Sequence, residues 1–127
     1  MSEVKDECKY TEDHEWALES EGLVTIGITD YAQESLGEIV FVELPKVGTM
    51  LDKSGTFGVI ESTKSVSDLY SPIAGEVVEI NNAVENEPDL INTSPYDSGW
   101  IIKIKPKRLE DLDALLSPND YKKLIDE

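Results

Sequence analysis

Cysteine is almost missing from this chain: its 127 residues hold one, Cys8. An internal disulfide is therefore excluded, and Cys8 reads as a reduced thiol near a terminus. Histidine is as scarce, with His14 alone. One His and one Cys are poor material for a transition-metal site, so no metal is expected. Basic residues are few, 11 against 27 acidic ones, for a net charge of −16. Such a surface repels phosphate backbones and anionic bilayers, so neither nucleic acid nor membrane is expected as a partner. Either partners with basic docking faces would be steered in, or the charge only maintains solubility. No apolar run approaches the roughly 20 residues that cross a bilayer. Met1–Cys8 has no apolar stretch and no Arg-rich amphipathic pattern. Neither a secretory signal nor a transit peptide is expected there, and the expected location is the cytoplasm, or the mitochondrial matrix for a mature form.

Catalytic signatures are missing as well. There is no Gly-rich phosphate loop, no GxSxG elbow and no Ser/His/Asp order. A glycosidase-type carboxylate pair remains open to so acidic a chain. At this length, however, little room is left for a substrate cleft, and an enzyme is not expected.

What the chain does have is material for one modest core, with 39% hydrophobic residues. Residues 1–8 are expected to be a flexible, frayed lead, and residues 9–127 a single domain. Glu15–Glu19 and Leu23–Ile28 flank the turn-forming Ser20-Glu21-Gly22 and read as a β-hairpin. Asp30 is expected to cap a short helix, with Gln33 completing a capping box and Gly37 ending it. Strands are expected at Glu38–Leu44, Val47–Leu51, Gly55–Glu61, Val66–Tyr70, Gly75–Ile80 and Trp100–Lys105. Asn81–Gly99 reads as a loop, being rich in Asn and holding Pro88 and Pro95. Two helices close the chain, Leu109–Leu116 and one started by Ser117-Pro118. Many short strands with turns between them predict a sandwich or barrel with small helices attached. Phe41-Val42-Glu43-Leu44 and Val77-Val78-Glu79-Ile80 form a faint internal echo.

The chemistry centres on residues 57–72. An apolar strand enters, the polar group Glu61-Ser62-Thr63-Lys64-Ser65 intervenes, and a mixed strand leaves. Polar residues at a hairpin tip face water. Lys64 is the only basic residue between Lys53 and Lys103. A lysine on such a tip is accessible to a modifying enzyme, and its amine on a flexible stem forms an amide readily. From spacing alone a solubilising loop lysine is the commoner reading, since exposed lysines are common.

Further residues decide between these readings. Glu61–Val77, read as Glu-Ser-Thr-Lys-Ser-Val-Ser-Asp-Leu-Tyr-Ser-Pro-Ile-Ala-Gly-Glu-Val, resembles the lipoyl-attachment segment of the glycine cleavage H-protein family. Tyr10–Trp16, Gly27–Gln33 and Leu36–Pro45 resemble the family's earlier blocks. Leu90–Asn92, Ser94–Tyr96 and Gly99–Ile101 resemble its later ones. The ordered matches cover about residues 9–105 and weaken in the C-terminal helices. Thr63 and Ser65 stand where the family more often has Val and Ala; both are small and suit a turn.

The resemblance implies a mostly β fold: a barrel-sandwich hybrid of two small antiparallel sheets, with a short internal helix and C-terminal helices. It implies covalent lipoic acid on Lys64, placed there by a lipoyl ligase or transferase. The lipoyl dithiolane would take an aminomethyl group from the pyridoxal-phosphate glycine decarboxylase and pass it to a tetrahydrofolate-dependent aminomethyltransferase. Dihydrolipoyl dehydrogenase would then reoxidise it. Tethering raises the effective concentration of the reactive group at each partner. The cationic cargo favours a cleft lined by carboxylates. Asp13, Glu15 and Asp68, at matching motif positions, are the acids expected beside the arm; the alternative for them is ordinary surface carboxylates. His14 is expected to be a packed structural histidine, and Trp16 and Trp100 core residues. Lipoyl domains of 2-oxoacid dehydrogenases and biotin carrier domains are nearer rivals than any enzyme. Their lysines usually sit in Asp-Lys-Ala or Met-Lys-Met, neither of which occurs here. A lipoyl donor that serves other complexes without glycine flux stays open.

Overall fold

The structure is a computed structural model that describes residues 2–126. Its chain order is β1 (Lys9–Tyr10), β2 (Glu15–Ser20), β3 (Leu23–Ile28), α1 (Asp30–Leu36), β4 (Ile39–Glu43), β5 (Met50–Leu51), β6 (Thr56–Ser62), β7 (Val66–Tyr70) and β8 (Gly75–Ile80). Next come α2 (Asn82–Asn86), α3 (Leu90–Thr93), β9 (Ile102–Pro106), a 3₁₀ turn (Leu109–Ala114) and α4 (Pro118–Ile125). Two antiparallel sheets result, one of six strands in the order β1-β2-β3-β9-β8-β5 and one of three in the order β4-β6-β7. This is the expected mostly β, two-sheet arrangement.

Period-two burial builds the core. Val24 and Ile26 on β3, Ile102 and Ile104 on β9 and Val77 on β8 turn inward from the large sheet. Val42, Ile60 and Leu69 meet them from the small one, in one continuous cluster. The β2–β3 turn has positive φ at both Glu21 and Gly22, the geometry that matches strand twist in a two-residue hairpin. Trp16 is buried opposite Gly27, where a Cβ would come within 2.7 Å of the indole. Trp16 Nε1 donates to the Pro95 carbonyl at 3.1 Å. Trp100 is half-buried, with Lys103 Nζ 5.1 Å from its ring centroid.

Several elements depart from the sequence reading. Thr29, not Asp30, caps α1: Thr29 Oγ1 accepts the Ala32 N–H at 3.1 Å. Asp30 occupies the first turn and accepts the Gln33 side-chain amide at 2.7 Å. Either residue type can cap, and the extended backbone of Thr29 settles the position. Asn81–Gly99 holds two short helices, because Asn81 accepts the Ala83 N–H and starts α2. Of Val47–Leu51 only Met50–Leu51 pairs as strand, since Gly48 turns the chain with φ 95°. The helix expected over Leu109–Leu116 is a 3₁₀ turn ending at Ala114, and Leu116 instead exchanges both backbone hydrogen bonds with Tyr10. The internal echo does not share a buried face: Phe41 is 50% exposed, whereas its counterpart Val77 is fully buried.

Residues 2–8, expected as a frayed lead, make specific contacts. Glu3 N donates to Asp30 Oδ2 at 2.8 Å, and Tyr10 and Tyr96 donate their hydroxyls to the Lys5 and Glu3 carbonyls. Cys8 is buried beside Tyr10, Trp16 and Tyr121. No helix of the described residues is long and apolar enough to cross a membrane.

Candidate functional site

Lys64 stands at the β6–β7 hairpin tip. Ladder pairing runs from Val59↔Asp68 through Ile60↔Ser67 to Glu61↔Val66, and the chain then reverses. Ser62 organises the reversal. Its N–H donates to the Ser65 carbonyl at 2.8 Å, and its Oγ accepts the Lys64 and Ser65 N–H groups at 3.3 and 3.1 Å. Thr63 N donates to the Glu38 carbonyl at 3.0 Å, which fastens the tip to the start of β4. The tip backbone is therefore fixed, while the Lys64 side chain is exposed.

Among the described residues the ion pairs are Lys5–Glu3, Lys103–Glu79 and Lys122–Asp6, and none engages Lys64. The Lys64 stem lies over Gly37, where a Cβ would meet Lys64 Cε at 3.1 Å. Gly37 ends α1 with φ 83° and ψ −158°, a region open essentially to glycine alone. On the outer face of the small sheet, the cross-strand row Phe41, Glu61 and Val66 is exposed beside the tip.

α1 and the small sheet enclose a cavity of about 180 Å³. Ile28, Ala32, Leu36, Ile60 and Leu69 form its apolar wall, and Ser35 and Ser67 add hydroxyls. Asp13, Glu15 and Asp68 all line it, together with His14. The structure thus brings together the three acids singled out in the sequence. An apolar trough with carboxylates suits a hydrocarbon arm that carries a cation.

The three acids differ in kind. Asp13 and Asp68 are exposed, whereas Glu15 is only 2% exposed. Glu15 Oε1 accepts the Thr11 hydroxyl at 2.7 Å and Oε2 accepts the Tyr70 N–H at 3.4 Å. Burial pushes its carboxyl up to about 7, and the Asp13 charge acts in the same direction. Thr11 and Tyr70 oppose the shift by hydrogen bonding to the charged form. Glu15 also lines a second cavity of about 260 Å³ on its other side, with Thr11, Lys53 and Ser71.

His14 is packed, as expected for a structural histidine. Its Nδ1 lies 2.9 Å from Tyr121 Oη, and its ring leans on Tyr31 at 4.9 Å between centroids. Desolvation lowers its pKa. Its φ of 69° turns the chain between Asp13 and Glu15. The wall residues of α1 and the anchoring role of Ser62 were not singled out from the sequence. Ser62 carried a signal, as a hydroxyl two residues before the tip lysine, of the kind that forms local side-chain turns. Among the described residues no group of three His, Cys, Asp or Glu is placed to hold a metal.

Known proteins share this architecture and sequence. The glycine cleavage system H protein of Saccharophagus degradans is 53% identical over 127 residues, covering 99% of this chain and 98% of its own length. That of Listeria monocytogenes serotype 4b is 54% identical over 126 residues, covering 99% and 100%. The crystal structure of a glycine cleavage system H protein from Mycobacterium marinum superposes with a TM-score of 0.90 at 37% identity, covering 98% of this chain and all of that one. The profile of the family described as Glycine cleavage H-protein matches residues 8–127. With a full-length match in sequence and fold, and a lysine-tipped hairpin beside an acidic cleft, the chain belongs to the glycine cleavage H-protein family.

Proposed function

We propose that Lys64 is the attachment point of a lipoyl group and that the α1–β7 cleft docks the resulting arm. The chain is the carrier of the glycine cleavage system, and it works with that system's other components. The observation that supports Lys64 is its exposed amine, free of ion pairs among the described residues, on a tip whose backbone is fixed next to the cleft. When bound, the lipoyl group supplies a dithiolane that takes up the aminomethyl group of glycine and releases it for transfer to tetrahydrofolate.

The chain's own residues hold and shield. Ser62 and the Glu38 carbonyl fix the direction in which the tip presents Lys64. Ile28, Leu36, Ile60 and Leu69 exclude water from one flank of the arm. Asp13 and Asp68 attract a protonated amine, and Glu15 does so in its ionised form, where a low local dielectric strengthens the attraction. The partners are glycine decarboxylase, aminomethyltransferase, dihydrolipoyl dehydrogenase and a lipoyl ligase or transferase. They supply the active sites; this chain supplies tether and dock. The bacterial relatives support a cytoplasmic setting.

Reconstitution tests the reading. The lipoylated chain should support glycine decarboxylation by the pyridoxal-phosphate enzyme, and the Lys64→Ala chain should support none above background. Equal turnover with Lys64→Ala would remove the lysine from the mechanism.

A further inference from the structure

Tyr121 lies on the last helix and does not line the cleft, yet its hydroxyl touches His14, which lines it, and Thr29, which caps the helix that lines it. Tyr121 Oη is 2.9 Å from His14 Nδ1 and 2.7 Å from Thr29 Oγ1. His14 sits between Asp13 and Glu15 on one wall. Thr29 Oγ1 accepts the Ala32 N–H and caps α1, whose Ala32, Ser35 and Leu36 form the other wall. The Tyr121 ring is fully buried and stacked on Tyr10, with centroids 4.5 Å apart and planes at 8°, so its hydroxyl has a fixed origin.

We propose that Tyr121 is a positioning residue: beside the backbone bond from the Thr29 N–H to the His14 carbonyl at 3.0 Å, its buried hydroxyl adds a side-chain link between the acidic turn 13–15 and the capped start of α1, and so fixes how turn and helix sit relative to each other around the dock. The inference rests on reading that cleft as the dock. A consistent proton order can run through the link. Ala32 N–H donates to Thr29 Oγ1, Thr29 O–H to Tyr121 Oη, and Tyr121 O–H to an unprotonated His14 Nδ1. The neutral imidazole that this requires is the form burial favours at His14. Linked hydrogen bonds of this kind act as a unit, so cutting either end should have the same consequence. α4 thereby acts on the site from outside it.

Tyr121→Phe keeps the stacked ring and removes only the hydroxyl. Thr29→Ala severs the other end but also takes the cap from α1, so if the first variant folds poorly the Glu15 midpoint, rather than the Ala32 amide, decides the question; Thr29→Ser keeps both cap and link. On the unlipoylated chain, NMR should show the Ala32 and Leu36 amides displaced in both link-cutting variants. The Glu15 carboxyl midpoint should move down from near 7 toward the ordinary carboxylate range as the turn loosens. The Lys64 and Ser65 amides should stay in place, and Thr29→Ser should match the parent. On the lipoylated chain, the lifetime of the aminomethyl cargo should fall about three- to ten-fold, the worth of one hydrogen bond. Lipoyl attachment to Lys64 should keep its rate. Wild-type amide positions and an unmoved Glu15 midpoint in both variants overturn the proposal. So does an unchanged cargo lifetime with the amides displaced. Failure of the parent chain to accept lipoate would sink the carrier reading instead, and the arm-free measurements would still decide whether Tyr121 fixes turn against helix.

Discussion

The Lys64 stem lies over Gly37 at the end of α1: a Cβ on Gly37 would sit 3.1 Å from Lys64 Cε. Gly37→Ala therefore sets two effects against each other. The lysine is flexible and can swing away from a methyl group at little cost. The backbone cannot adapt in this way, because φ 83° with ψ −158° is nearly closed to alanine. The variant should lose about 1–3 kcal/mol of stability and still accept lipoate to completion. Denaturant melts read the first and intact mass the second. Unchanged stability would show that the chain relaxes at α1's end without strain.

Glu15 should make the fold less stable as pH rises. Its carboxyl is held near 7 when folded, against an ordinary value near 4.5. The folded state therefore binds more protons between those two values. The full benefit is present below about 4.5, and it is lost as pH climbs through about 7. Glu15→Gln removes the ionisable group. Relative to the parent, the variant should gain stability from pH 5 to pH 8, by at most about 3 kcal/mol at 1.36 kcal/mol per pH unit. Urea unfolding at several pH values checks the sign. A parent-to-variant difference that is flat with pH would mean that Glu15 titrates normally.

The same carboxylate has a separate duty toward the cargo. Glu15→Ala removes the buried carboxyl facing the cleft but leaves the tip hydrogen bonds of Ser62 intact. Lipoylation should proceed normally, while the aminomethyl cargo decomposes faster than in the parent. An unchanged cargo lifetime would take Glu15 out of the dock and leave that role to Asp13 and Asp68.

Ser62 anchors the tip with a single oxygen that accepts two N–H groups. Ser62→Ala should cost about 1 kcal/mol and speed amide exchange at Lys64 and Ser65, with β8 and β9 unaffected. Exchange rates at the tip equal to the parent's would place the anchoring elsewhere, at the Thr63–Glu38 contact.

The lysine-tipped hairpin was readable because its signal is local: apolar strands bracket a short polar group, and the register of β6 on β7 follows from that pattern. The burial of Glu15 was not readable. A strand that alternated regularly would leave Glu15 and Ala17 on one face and Trp16 on the other. Instead Glu15, Trp16 and Ala17 are all buried, since Ala17 faces the main core on one side of β2 and Trp16 joins the Tyr10–Tyr121 cluster on the other. The turn at His14, with its positive φ, sets where that stretch begins, and nothing in Asp13-His14-Glu15 announces it. The helices α2 and α3 escaped for a related reason. Their Asn and Pro residues favour turns, and the Asn81 side chain that caps α2 is held in place by bonds to the distant Ser98 and Trp100 carbonyls. The role of Tyr121 was hidden too, since it lies 107 positions from His14 and 92 from Thr29.

The account stands on the amine at position 64. Incubation with a lipoyl ligase and lipoate, followed by intact-mass and peptide mass spectrometry, examines it without any other component. One adduct of lipoyl mass per chain, mapped to the peptide carrying Lys64 and lost in Lys64→Ala, is the predicted result. An adduct on another lysine, or an unmodified chain under conditions that fully lipoylate a known H protein, would contradict it.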